Sequence, residues 1–68
     1  MLADDPQFQK LIYDVGLKFR DALNQKAFLL VTIDANGKAK AFHFFEGRNN
    51  LKTLINETRE ATNYLKTL

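Results

Sequence analysis

A turn between two apolar runs in the middle of the chain constrains the fold more than any other feature. Residues 27–33 (AFLLVTI) are apolar apart from Thr32, and their β-branched and large side chains favour a strand. The turn residues 34–37 (DANG) follow, and residues 38–45 resume an extended pattern. Asn36 and Gly37 tolerate positive φ, so the sequence predicts a β-hairpin.

Two registers fit this hairpin. A type I turn with Gly37 as a bulge pairs Leu30 with Phe42 across the strands. A two-residue type I′ turn instead pairs Val31 with Phe42, and this slip by one residue regroups the faces of the strands. We favour the bulged turn because Asp34 and Gly37 then occupy the positions that this turn prefers.

Both faces of the predicted hairpin are apolar. In the favoured register the first face carries Phe28, Leu30, Phe42 and Phe44. The second face carries Ala27, Leu29, Val31, Ile33, Ala39, Ala41 and Phe45. A sheet that is wetted on one side alternates apolar with polar residues, and this one does so only near its turn, at Thr32, Lys38 and Lys40. Both faces therefore need cover.

Amphipathic helices are predicted on both sides of the hairpin. Asp5 suits an N-cap and Pro6 suits the first helical position, which predicts a helix over about residues 6–24. Asn50 is the expected N-cap of a second helix over about residues 51–67. The apolar stripe of the first helix comprises Phe8, Leu11, Ile12, Val15, Phe19, Ala22 and Leu23. Gly16 lies at the edge of this stripe, where it indicates a close approach to the sheet.

The predicted fold class is α+β, with the order α-β-β-α in one small domain over residues 1–68. We expect the two amphipathic helices to pack side by side on one face of the hairpin, since a two-stranded ribbon is too narrow to support a helix on each face well. The other apolar face is then bare. A second copy of the chain is expected to cover it, or to complete the sheet edge to edge.

Size and composition lead to the same expectation. A chain of 68 residues struggles to bury enough surface alone, and small domains usually add disulfides, a metal or oligomerisation. There is no cysteine and only one histidine, so a disulfide is excluded and a zinc site is not expected. Oligomerisation remains, and no cofactor is predicted.

The candidate interface combines the large residues of the first hairpin face with a pair on the first helix. It comprises Phe28, Leu30, Phe42, Phe44, Tyr13 and Leu17. Tyr13 and Leu17 lie one turn apart and roughly opposite the apolar stripe. They are either scattered surface residues, which are common, or part of a second contact surface.

Basic residues gather near the hairpin, at Lys26, Lys38, Lys40 and Arg48. Phe42 and Phe44 share one face of the hairpin with the lysines, and basic residues beside aromatic rings suit single-stranded nucleic acid. A sheet that is buried at its base and solvated at its tip has the same pattern. Nucleic-acid binding is therefore the alternative function, and an ordinary solvated tip is the simpler interpretation.

No pattern in the chain predicts catalysis. His43 is the only histidine, and as a general base it needs an orienting acid, for which Glu46 is nearest in sequence. No nucleophile triad, glycine-rich phosphate loop or HExxH motif is present. No apolar run has the roughly 20 residues of a membrane span, and the first residues do not resemble a signal peptide.

These observations predict a small cytoplasmic protein that acts by binding rather than by catalysis. Its expected partner is a second copy of itself or another protein, met on the apolar hairpin face, with no role at a membrane. Its net charge of +2 is compatible with solubility alone.

Overall fold

A computed structural model describes residues 1–68 as two helices and a two-stranded antiparallel sheet. In chain order the elements are α1 (Pro6–Ala22), β1 (Ala27–Ile33), β2 (Ala39–Phe45) and α2 (Arg48–Leu65). This confirms the predicted α+β class and the order α-β-β-α. Neither helix combines the length and the apolarity that crossing a membrane requires.

The hairpin adopts the favoured register. Leu30 lies opposite Phe42 and Phe28 lies opposite Phe44. The Asp34 N–H donates to the Lys38 carbonyl at 2.9 Å, and the Gly37 N–H donates to the Asp34 carbonyl at 3.0 Å. Gly37 has a φ of +81°, which glycine adopts without steric cost.

The carboxylate of Asp34 holds the turn and the N-terminal segment together. It accepts the backbone N–H groups of Asn36 at 2.8 Å and Lys38 at 2.9 Å within the turn. It also accepts the N–H of Ala3 at 2.9 Å, and Ala3 is only 4% exposed. The hydrogen bond from Ala3, followed by those from Lys38 and Asn36, lowers the pKa of the Asp34 carboxyl.

We expect Asp34→Asn to lower the melting temperature at neutral pH. We also expect the melting temperature of this variant to fall less steeply than that of the parent chain as the pH is lowered. A carboxyl whose pKa is depressed by folding stabilises the fold above its unfolded pKa of about 3.9, and this contribution is lost as pH falls through the folded value. Melting curves from neutral pH down to strong acid check this. Asp14→Asn, at an exposed carboxylate without a hydrogen bond, is the matched control. If Asp34→Asn shifts the whole curve without flattening it, the carboxylate does not have this role.

The helix boundaries follow their caps. Asp5 caps α1 as expected, since its side chain accepts the Gln7 N–H at 2.8 Å. Helix α1 ends at Ala22 rather than at residue 24, because Asn24 adopts a left-handed φ of 51°. Helix α2 begins at Arg48, and Gly47 takes the N-cap position that was expected of Asn50. The Asn50 side-chain amide donates instead to the Glu46 carbonyl at 2.6 Å, inside the first turn.

Helix α1 packs on the first face of the hairpin, and Gly16 is its point of closest approach. A Cβ atom on Gly16 would lie only 2.8 Å from Cζ of Phe42, so only glycine fits without a shift. The Tyr13 ring meets the Phe42 ring edge-on at 6.0 Å between centroids, and the Phe19 ring lies 5.3 Å from that of Phe28.

Helix α2 lies along the second face, and this corrects the expected packing of both helices on one face. Leu29 and Val31 of β1 line one groove with residues of α2 from Leu54 to Leu65. A helix is about 10 Å across, and two strands about 5 Å apart present a face of similar width. Each face therefore has room for one helix, and each has an apolar row to receive it.

Candidate interaction surface

The six residues of the candidate interface all pack within the chain, where five are half-buried and Tyr13 stays 54% exposed. Phe28 stacks on Phe42 at 5.9 Å and lies 5.7 Å from Phe44, measured between ring centroids. Leu30 lines a groove with Phe28 and α1, and Tyr13 and Leu17 line a neighbouring one with Phe42. Tyr13 and Leu17 thus lie on the side of α1 that meets the sheet, whereas the sequence pattern predicts that they lie opposite the apolar stripe and away from the sheet.

This packing buries little of the chain. Only Ala3 and Gly16 are buried. The solvent-accessible surface is 5546 Å², whereas a folded monomer of 7.8 kDa exposes about 4,400 Å². The Cα radius of gyration is 13.4 Å, against about 11 Å for a compact domain of this length. A single chain therefore leaves about 1,100 Å² more surface in water than a compact monomer does.

Much of the exposed surface is apolar. Large side chains that are at least 40% exposed in the helices and strands are Leu11, Tyr13, Val15, Phe19, Leu29, Val31, Ile33, Phe45, Ile55, Tyr64 and Leu65. Leu11, Val15 and Phe19 follow one another at four-residue spacing, which places them on a single ridge of α1. Contiguous apolar surface of this kind marks an interaction site more often than isolated exposed residues do.

The first of two apolar grooves lies between α1 and β1. It is lined by Val15, Gly16, Phe19, Phe28, Leu29 and Leu30, none of which is charged. Val15 is 50% exposed and Phe19 is 44% exposed, so the ridge of α1 forms the outer wall of this groove.

The second groove lies between α2 and the second face of β1. Leu29 and Val31 line it from the strand, and Leu54, Glu57, Thr58, Ala61, Thr62 and Leu65 line it from the helix. The hydroxyls of Thr58 and Thr62 donate to the carbonyls four residues earlier, at 2.7 and 2.8 Å. These two threonines therefore bring no unpaired donor into the groove, and Glu57 is its only charged residue.

The two grooves meet at β1. Leu29 lines both of them, and no residue of β2 lines either. Both grooves therefore open on the side of the sheet where β1 has no neighbouring strand. We call this surface, formed by Val15, Phe19, Leu29, Val31, Leu54 and Leu65, the β1 cleft.

The basic residues at the hairpin are partly neutralised. Lys38 Nζ donates to the Asp4 carboxylate at 2.6 Å, and this hydrogen bond raises the pKa of Lys38. Lys26 pairs with Glu46 at 3.5 Å. Lys40 is exposed and makes no ion pair, and Arg48 opens α2.

The aromatic rings that would stack with bases lie beneath α1. The Phe42 ring contacts Tyr13, and the Arg20 guanidinium lies over the Phe44 ring at 5.4 Å from its centroid. Both rings are half-buried and already in contact with α1, which leaves less of each ring for stacking with a base.

The fold does not bring together the pair considered for general-base chemistry. His43 is exposed on the second face, and no hydrogen bond links it with Glu46, whose carboxylate pairs with Lys26. No three side chains of His, Asp or Glu come close enough together to hold a metal ion.

The apolar stripe of α1 is only partly covered by the sheet. Gly16 is the point of closest approach, and Tyr13 and Phe19, which flank it on the helix surface, both contact rings of the hairpin. Val15 is 50% exposed, so the far edge of the stripe faces outward. The close approach at Gly16, which the sequence predicts, is the signal that separates the covered edge of the stripe from the exposed one.

Comparisons of the chain with protein-family models, with curated proteins and with solved structures find no match.

Proposed function

We propose that this chain is a small non-enzymatic interaction protein that acts as a homodimer, assembled through its exposed apolar surface. The observation that carries the proposal is the excess of about 1,100 Å² of accessible surface over a compact monomer. A standard stable interface buries about 800 Å² on each partner, so the excess is large enough to supply one chain's share of such an interface. An accessory or regulatory role through such a dimer is part of the proposal, as is a cytoplasmic location.

Light scattering on an eluting peak, at low and high salt, tests the proposal. We expect a mass of twice the 7.8 kDa chain at both salt concentrations, because apolar burial is not weakened by screening ions. A monomer that persists up to submillimolar concentration would overturn the proposal.

Nucleic-acid binding through Lys26, Lys38, Lys40 and Arg48 is a weaker second proposal. The exposed lysines support it, whereas the ion pairs of Lys26 and Lys38 and the covered rings of Phe42 and Phe44 weigh against it. Phosphate contacts make binding fall steeply with added salt. Retention on heparin that disappears with added salt, and is lost in a Lys38→Glu/Lys40→Glu variant, would support this function over the first.

A further inference from the structure

The outer edge of β1 carries hydrogen-bonding groups that the chain does not use. Lys26 pairs with Glu46 and Asp34 pairs with Lys38 through backbone hydrogen bonds at the two ends of the ladder. Bonded pairs alternate with non-bonded pairs in an antiparallel ladder, so the even-numbered residues of β1 point their N–H and C=O groups toward β2. The groups of Leu29 and Val31 point outward, and no backbone partner meets them from outside the sheet.

This edge also lacks the features by which proteins prevent strands from pairing between molecules. Residues 27–33 contain no charge, proline or glycine, and Thr32 is their only polar residue. Edge strands are normally protected by lysine, proline, a bulge or a covering element. The corresponding stretch of β2 contains Lys40 and His43, and its small Ala39 and Ala41 offer little apolar area.

Apolar walls flank the same edge. Val15 and Phe19 of α1 stand on one side of the β1 cleft, and Leu54 and Leu65 of α2 stand on the other. A strand that paired with β1 would bring its own apolar side chains between these walls. Backbone pairing and apolar burial would then occur together at one place.

We propose that β1 pairs antiparallel with β1 of a second copy, which joins two hairpins into one continuous four-stranded sheet with the order β2-β1-β1-β2. The pairing is isologous about a two-fold axis, the commonest symmetry of soluble oligomers. It deepens the proposed function and rests on it, because it names the surface through which the homodimer forms. We call the paired β1 strands the seam of the dimer. The ridge of α1 and the β1 cleft of each copy lie beside this seam and provide the apolar surface that the dimer buries.

Two matched proline variants test the pairing. Val31 and Ala41 lie directly opposite each other in the hairpin, and their N–H groups point to opposite outer edges. Proline removes one outward donor in each case and leaves the internal ladder intact. We expect Val31→Pro to elute as a monomer and Ala41→Pro to remain a dimer, with circular dichroism spectra that show the fold retained in both.

The outcomes separate the two proposals. If both variants remain dimeric, or if only Ala41→Pro dissociates, the dimer exists but β1 is not its seam. If the parent chain is itself a monomer, the proposed function has failed and the seam fails with it.

A crosslinking experiment covers the case in which Val31→Pro does not fold. The chain has no cysteine, so single-cysteine variants report one position each. With a short bismaleimide we expect Val31→Cys to yield a covalent dimer and Ala41→Cys to remain a single chain. The reverse preference, or equal yields for both variants, would overturn the β1 seam.

Discussion

Phe28→Ala is expected to lower the free energy of unfolding by about 3 kcal/mol, which is the largest loss from any single truncation in the chain. The Phe28 ring lies within 6 Å of three others, at 5.3 Å from Phe19, 5.9 Å from Phe42 and 5.7 Å from Phe44. It is therefore the centre of the only aromatic cluster, and it joins α1 to both strands. A domain of this size has a total free energy of unfolding of roughly 3–10 kcal/mol, so this loss is a large fraction of its stability.

Phe45→Ala is the matched control for this truncation. Phe45 lies on the second face next to the same hairpin end, is 40% exposed and has no aromatic partner. Truncation of Phe45 should lower the free energy of unfolding by about 1 kcal/mol or less, since it removes few packing contacts. Urea unfolding followed by circular dichroism, at one protein concentration for both variants, measures the two losses. Equal losses would show that the aromatic cluster does not hold α1 on the sheet.

Gly16→Ala is expected to destabilise the protein, although alanine is the better helix former. Inside an exposed helix this change stabilises by about 1 kcal/mol. At Gly16 the new Cβ would lie 2.8 Å from Cζ of Phe42 and closer still to a neighbouring ring atom. Overpacking of this kind costs about 1–3 kcal/mol, and Gly16→Val should reach the upper end because it adds two further methyl groups.

The same change in a Phe42→Val background shows whether the Phe42 ring causes this effect. Valine at position 42 ends at Cγ and so lacks the Cδ1, Cε1 and Cζ atoms that a Cβ on Gly16 would meet. In that background we expect Gly16→Ala to stabilise, because only the gain in helix propensity remains. Thermal melts of the four chains complete the cycle. A rise in melting temperature on Gly16→Ala in the parent chain would show that α1 does not approach the sheet at this residue.

Local chemistry made the hairpin predictable to the residue. Asp34, Asn36 and Gly37 each satisfy a separate demand of one turn type, and this turn determines every cross-strand pair as far as Phe28 and Phe44. The cap of α1 was equally local, since Asp5 and Pro6 act on the neighbouring backbone. The start of α2 was harder to predict, because Gly47 and Asn50 both suit the N-cap position of a helix.

Tertiary choices were harder to predict. Periodicity shows that α1 has an apolar stripe, but it does not show which edge of the stripe meets the sheet and which edge stays free. The contact between Gly16 and Phe42 decides this, and it joins residues far apart in sequence. The same limit applies to α2, because both hairpin faces are apolar and either one can receive a helix.

Amide hydrogen exchange, residue by residue, tests most directly the central claim that a second copy completes this fold along β1. In a single chain the outward N–H groups of Leu29 and Val31 have no partner and exchange quickly, as do those of Ala41 and His43. In the β1-paired dimer we expect Leu29 and Val31 to be protected like the internal Leu30, and Ala41 and His43 to remain fast. Fast exchange at Leu29 and Val31 under conditions in which the chain is dimeric would contradict the claim.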